Sequence, residues 1–178
     1  YKEITSLQER LCFDYESSVD ELSSTAEDIF GFGTFRDFPR QDATLETGTT
    51  ISQKEIVTAA LKNESFLAIL PTGGGKTFTF WLPSIIKAKS LKTLTVVISP
   101  LQALIKDHME SFHETVANYK AVALSGYMSP SERADTMEKV VNGDADILYF
   151  SKSRMLLLSE FPIYNLFGMT LSIMLLDR

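Results

Sequence analysis

A single cysteine, Cys12, and two histidines are present in 178 residues. One cysteine excludes an internal disulfide and any cysteine-based zinc site. His108 and His113 are five positions apart, off the i, i+4 spacing that would set both on one helix face for a metal, and they read as ordinary helix residues. No apolar run approaches the ~20 residues that cross a membrane. The opening Tyr1-Lys2-Glu3-Ile4-Thr5 does not resemble a signal peptide. Asn63-Glu64-Ser65 matches the glycosylation triplet, but without a secretory signal it reads as chance. A reducing, cytoplasmic setting with no membrane partner is the expectation. Internal repeats and low-complexity tracts are also absent from the sequence.

Positive charge is in short supply overall, with a net of −6, but the shortage is local. Residues 1–50 hold 4 Lys and Arg against 11 Asp and Glu, whereas residues 51–178 hold 13 against 12. The acidity therefore belongs to an N-terminal segment, 1–50. A near-neutral part, 51–178, can still bind phosphates through local donors. Hydrophobic content of 44% is ordinary for a globular domain, and the length suffices for one core.

The densest chemistry lies in Leu70-Pro71-Thr72-Gly73-Gly74-Gly75-Lys76-Thr77. A short apolar run, Phe66 to Leu70, precedes it and reads as a buried strand; Phe78 to Leu82 reads as the opening of a helix. Strand, glycine-rich turn, Lys-Thr and helix is the arrangement that holds nucleoside triphosphate. Glycines let the backbone curl and aim N–H groups at an anion, and the helix N-terminus adds partial positive charge. Thr72, Gly73, Gly74, Gly75, Lys76 and Thr77 are the expected phosphate ligands, with Lys76 on the β- and γ-phosphates and the Thr77 hydroxyl on Mg2+. The strict pattern has glycine where this chain has Leu70. The plainer alternative is a core turn with Lys76 solvated.

Periodicity predicts two short helices within residues 1–30 and a loop from Asp37 to Thr50. Ser52 and Glu55 predict a capping box for a helix from Gln53 to Leu61. Strands are expected at Thr93–Ser99, Ala121–Leu124 and Asp146–Phe150, and in the run Leu171–Leu176. Helices are expected at Leu101–Phe112 and Ser131–Asn142, and a helix-like stretch from Ser153. This alternation implies a mostly parallel sheet with helices on both faces, its ligands at the carboxyl ends of the strands. The loops after Leu70, Ser99 and Phe150 would meet there.

Three stretches narrow the choice. Phe30-Gly31 and Phe35-Arg36 form an aromatic, glycine-punctuated turn, and Gln53 opens a helix 23 residues before Lys76. The loop itself reads Leu-Pro-Thr-Gly-Gly-Gly-Lys. Ser99-Pro100-Leu101-Gln102-Ala103-Leu104 follows a buried strand. Together these resemble the RecQ family of superfamily 2 DNA helicases, from about Phe30 to Tyr149. The resemblance implies a RecA-like P-loop lobe in 51–178, preceded by a short helical segment. It assigns Gln53 to adenine, with the motif split by an insertion around Asp37–Ser52. A glutamine amide offers both a donor and an acceptor for that edge. It also assigns Ser99, Pro100 and Leu101 to the backbone of single-stranded DNA. Read without the family, Gln53 is a helix-start glutamine, and Ser99-Pro100 is equally a phosphate contact or a strand running into a helix.

Ser151 and Arg154 match a further family segment, while Lys152 and Ser153 do not. Ile173 to Asp177 matches the strand and aspartate of the family's Asp-Glu-Ala-His motif, which makes Asp177 the expected second metal ligand. The glutamate and histidine of that motif do not follow. The resemblance thus implies ATP, Mg2+, single-stranded or partly duplex DNA, and a second RecA-like lobe in the full 3′–5′ helicase. The chain as given is expected to bind nucleotide and turn it over poorly. Two rivals stand beside this reading: a nucleotide-binding scaffold without catalysis, and a different P-loop ATPase or kinase.

Overall fold

The structure, a computed structural model, describes residues 21–39, 50–62, 66–91, 93–126, 128–151 and 172–175. They fall into two compact units, one within residues 14–86 and one beginning at Lys87. The first holds helix α1 (Leu22–Phe30), strands β1 (Asp37–Pro39) and β2 (Thr50–Ser52), helix α2 (Gln53–Leu61) and the start of helix α3 (Lys76–Leu91). The second holds β3 (Thr95–Ser99), α4 (Gln102–Thr115), β4 (Ala121–Leu124), α5 (Pro130–Val141), β5 (Ile147–Ser151) and β6 (Ser172–Leu175).

In the second unit the strands form one parallel sheet in the order β4-β5-β3-β6. All five residues of β3 and of β5 are buried, as parallel strands covered on both faces must be. One face carries Val96, Ile98, Leu124, Leu148 and Phe150, closed by Val140 and Met137 of α5. The other is covered by α4, whose His108 ring lies 6.0 Å from that of Tyr149. Ser99 and Ser151 are in register at the carboxyl ends of β3 and β5. Gly143 takes a left-handed φ of 76° just beyond α5, the stop expected of a glycine there.

The first unit is built on aromatic contacts. Gly31 ends α1 in the left-handed region, its N–H donating to the Glu27 carbonyl. The chain then returns Phe32 and Phe35 toward α3. Phe78, two residues after Lys76, is the hub: Phe30 and Phe32 lie 5.2 Å from its ring and Phe35 lies 5.7 Å away. Phe30 also stacks on Trp81 at 6.4 Å. Such pairs contribute roughly 0.5–1.5 kcal/mol each beyond area burial.

Two expectations are corrected. Phe66–Leu70 is not a strand: Leu67 and Ile69 are 86% and 83% exposed, and only Leu70 is buried. A strand exists through a neighbour's backbone, and among the described residues nothing pairs with this run. The stretch from Asp37 to Thr50 is not all loop, because β1 and β2 pair antiparallel with Asp37 opposite Ser52. The elements expected at 53–61, 93–99, 101–112, 121–124, 131–142, 146–150 and 171–176 are present, their ends within three residues of expectation. The first N-terminal helix and the helix-like stretch from Ser153 lie outside the described residues.

Gly33 tests the packing of the first unit. A Cβ there would stand 2.6 Å from the Ser23 carbonyl oxygen, a backbone atom that cannot yield. Gly33→Ala should lower stability by about 1–3 kcal/mol, read as a lower urea midpoint with unchanged m-value. The cap of α5 gives a pH test. Glu132 accepts from the Ser129 N–H at 2.8 Å and the Ser129 hydroxyl at 2.7 Å, which holds its carboxyl below the usual 4.5. A lowered folded-state value means that this contribution is present above about 4.5 and is lost as pH falls through the lowered value. Glu132→Gln should flatten the acid limb of the stability–pH curve over that window.

Candidate nucleotide site

The glycine-rich loop leads from Leu70 into the first turn of α3. Gly73 and Gly75 sit at φ 74° and 70°, left-handed conformations that glycine adopts without a Cβ penalty. The Gly74 N–H donates to the Pro71 carbonyl at 3.0 Å and closes the turn. Lys76 and Thr77 then occupy the first turn of the helix, both partly exposed. Among the described residues neither side chain has a hydrogen bond or ion pair. The first N–H groups of α3 have no partner four residues back. Ammonium, hydroxyl and helix-end amides thus share one turn, which is the donor set a polyphosphate with its metal requires.

Gln53 holds the loop from behind. Its side chain is 3% exposed. The Gln53 Nε2 donates to the Gly74 carbonyl at 2.9 Å, and its Oε1 accepts from the Arg36 N–H at 2.9 Å. Arg36 donates from its guanidinium to the Gly73 carbonyl at 3.0 Å, and its own carbonyl accepts the Gln53 N–H at 2.9 Å. Two successive loop carbonyls are therefore tied to residues 36 and 53. The peptide unit is planar and trans, so fixing the Gly74 carbonyl points the Gly75 N–H the opposite way, away from Gln53. A Cβ on Gly75 would collide with Gln53 Nε2.

The pairing of β1 with β2 explains how Arg36 and Gln53 meet. The two strands bring the ends of the 37–52 insertion together, so the split motif is closed in space. Ser52 then caps α2, accepting from Lys54 N–H at 3.1 Å, while Glu55 accepts from the Ser52 N–H at 3.4 Å. The capping box was legible in sequence. The bond from Arg36 to Gly73 was not, since nothing in the spacing of those residues announces it.

The other expected site residues stand as follows. Thr72 is exposed in the loop. In the second unit, Pro100 and Leu101 are exposed at the end of β3, but Ser99 is 1% exposed. The Ser99 hydroxyl interacts with Leu101 in both directions, accepting from its N–H at 3.4 Å and lying 3.3 Å from its carbonyl. It secures the turn into α4, and the helix-end amides are the donors left for an anion. Burial against α4's surroundings lowers the His108 value, with Asp107 acting in the opposite sense. Lys152, Ser153, Arg154 and Asp177 lie outside the described residues.

A glycine-rich loop delivering Lys-Thr into a helix, together with a parallel sheet covered on both faces, defines the RecA-like P-loop class of α/β folds. The chain belongs to the DEAD/DEAH box helicase family, whose profile matches residues 49–171. Its sequence relatives are RecQ-type helicases. It is 35% identical over 100 residues to the ATP-dependent helicase SGS1 of Saccharomyces cerevisiae, covering 56% of this chain and 7% of that one. It is 35% identical over 114 residues to the ATP-dependent DNA helicase RecQ of Synechocystis, covering 64% and 22%. To the ATP-dependent DNA helicase Q-like 5 of Arabidopsis thaliana it is 28% identical over 160 residues, covering 90% and 15%. The chain thus spans less than a quarter of the length of these relatives. Among solved structures it shares its fold with the DUF1998 helicase MrfA, crystallised bound to DNA. That likeness has a TM-score of 0.51 at 20% identity, over 67% of this chain and 19% of that one. Among the described residues no helix is long and apolar enough to cross a membrane.

The contact between Gln53 and the loop predicts non-additive mutations. Gly75→Ala should destabilise through both its left-handed φ and the collision with Gln53. In a Gln53→Ala background only the first cost remains, so the two changes should couple by about 1 kcal/mol or more in urea unfolding. Additivity within ~0.5 kcal/mol would show that Gln53 does not pack on the loop.

Proposed function

We propose that this chain contributes the nucleotide-binding lobe of a RecQ-like 3′–5′ DNA helicase. In that reading residues 51–178 form the lobe, and the acidic segment 1–50 supplies the Arg36 that holds its loop. Mg·ATP binds at the loop, with Lys76 on the phosphates and the Thr77 hydroxyl and Asp177 toward the metal. The full enzyme couples hydrolysis to movement of a second RecA-like lobe along single-stranded DNA, and Pro100, Leu101 and the first amides of α4 meet the DNA backbone. The observation that carries the reading is the loop itself, with its carbonyls tied back by Arg36 and Gln53 beside an unengaged Lys76 and Thr77.

We propose a bracing role for Gln53 in place of the adenine contact. Both ends of its amide are engaged and the side chain is buried, so contact with adenine would require release from Gly74 or Arg36. Its bonding supports bracing of the phosphate loop instead. The scaffold alternative keeps the same loop and differs only in lacking turnover and a DNA response.

The test is a titration of the purified chain with fluorescent ATP and GTP analogues in Mg2+. Lys76→Ala should weaken both at least tenfold. Gln53→Ala should weaken both by the same factor, as a brace would; selective loss of the adenine nucleotide would restore adenine reading. No binding by folded parent protein would overturn the assignment of the loop.

A further inference from the structure

Among the described residues β4 lies at one edge of the parallel sheet and β6 at the other. β4 pairs only with β5, and among the described residues no strand occupies its other side. The Lys120 carbonyl accepts from Ile147 N–H at 3.2 Å, so it faces β5. By the alternation of a strand, Val122 and Leu124 face the same way, while Ala121 and Ala123 turn their N–H and C=O groups outward. The next outward amide, Ser125 N–H, is closed off by Met128 Sδ at 3.4 Å. Ala121 is buried and Ala123 partly exposed, so the ladder groups offered to an incoming backbone are chiefly those of Ala123.

A cleft of about 1170 Å³ surrounds this edge, with α4 on one side and α5 on the other. Its floor is apolar, formed by Met109, Val122, Ala123 and Met128. The strand residues on the edge are small, which lets another backbone approach. Gln102 Oε1, at the same cleft, is buried without a hydrogen-bond partner.

The rim is basic. Lys106, Lys120, Lys139 and His113 line it against one carboxylate, Asp144. Lys106 and Lys120 reach Glu110 and Asp144 only at 3.7 Å, between side chains that are mostly exposed. Pairs of that kind hold little free energy, and a better-placed carboxylate displaces them. In a chain with net charge −6, three lysines around one apolar cleft select for negative charge.

We propose that this cleft docks an extended acidic segment of a partner protein, which adds to β4 as a fifth strand. Backbone groups supply the ladder, alternate apolar side chains meet the methionine-lined floor, and the intervening acidic ones meet the lysines. Nucleic acid fits less well: the lining has cations but no Phe, Tyr or Trp to stack a base, His113 being its one ring.

The probe is a fluorescein-labelled eight-residue peptide alternating valine with glutamate, titrated by anisotropy into the full chain. Saturable binding is expected, at least tenfold weaker for a valine–glutamine peptide and for the double variant Lys106→Glu/Lys139→Glu. A peptide N-methylated at alternate amides should lose binding to unaltered protein. The bound peptide should slow amide exchange in residues 121–124 severalfold. Absence of saturable binding overturns the proposal, as does an N-methylated peptide that binds within twofold of the parent. Displacement of the peptide by a tighter-binding oligo-dT would overturn it too and give the cleft to nucleic acid.

Discussion

The side-chain amide of Gln53 is the contact on which the phosphate loop depends. A loop with left-handed glycines at 73 and 75 has many alternative conformations, and glycine loses more freedom on ordering than any other residue. Two hydrogen bonds from outside the loop, to the Gly73 and Gly74 carbonyls, select one of them. The bond from Gln53 is buried, so water does not readily replace it and leaving either of its partners unpaired would carry the full desolvation penalty; the bond from Arg36 is exposed. The same constraint explains why position 75 has no room for a side chain.

Everything else in the first unit serves to hold that contact. The capping box fixes the start of α2, and so the place from which Gln53 projects. The β1–β2 pair closes the insertion and delivers Arg36. The aromatic cluster around Phe78 anchors the helix two residues beyond Lys76, so the mobile-looking glycine stretch is bounded by rigid neighbours. The second unit follows a different logic: a parallel ladder whose central strands β3 and β5 are fully buried, with β4 and β6 at its edges among the described residues.

Most element types were legible because their signals are local. The β-branched run at 95–99, the Ser52–Glu55 box and the glycine at 31 each act within a few residues. The run Phe66–Leu70 misled for the opposite reason. Its composition is that of a buried strand, but hydrogen bonding from a neighbour makes a strand, and composition cannot supply one. Asp37–Thr50 misled in reverse, since its turn-forming residues hide two short strands that exist through each other.

The sequence by itself determined the class of the fold, the position of the phosphate loop and the family, because glycine, lysine and threonine at fixed spacing act through local backbone geometry. It also placed Gln53 at a helix start. Tertiary structure alone decided which groups that residue meets here. An amide can meet an adenine or a backbone carbonyl equally well, and the choice rests on what stands within 3 Å of it. Here Arg36 and Gly74 stand there, from 17 residues before and 21 after. Likewise, charge counts gave a near-neutral second part, while only the fold gathered Lys106, Lys120 and Lys139 around one open strand edge. Long-range proximity follows from chain topology, which spacing along the sequence does not encode.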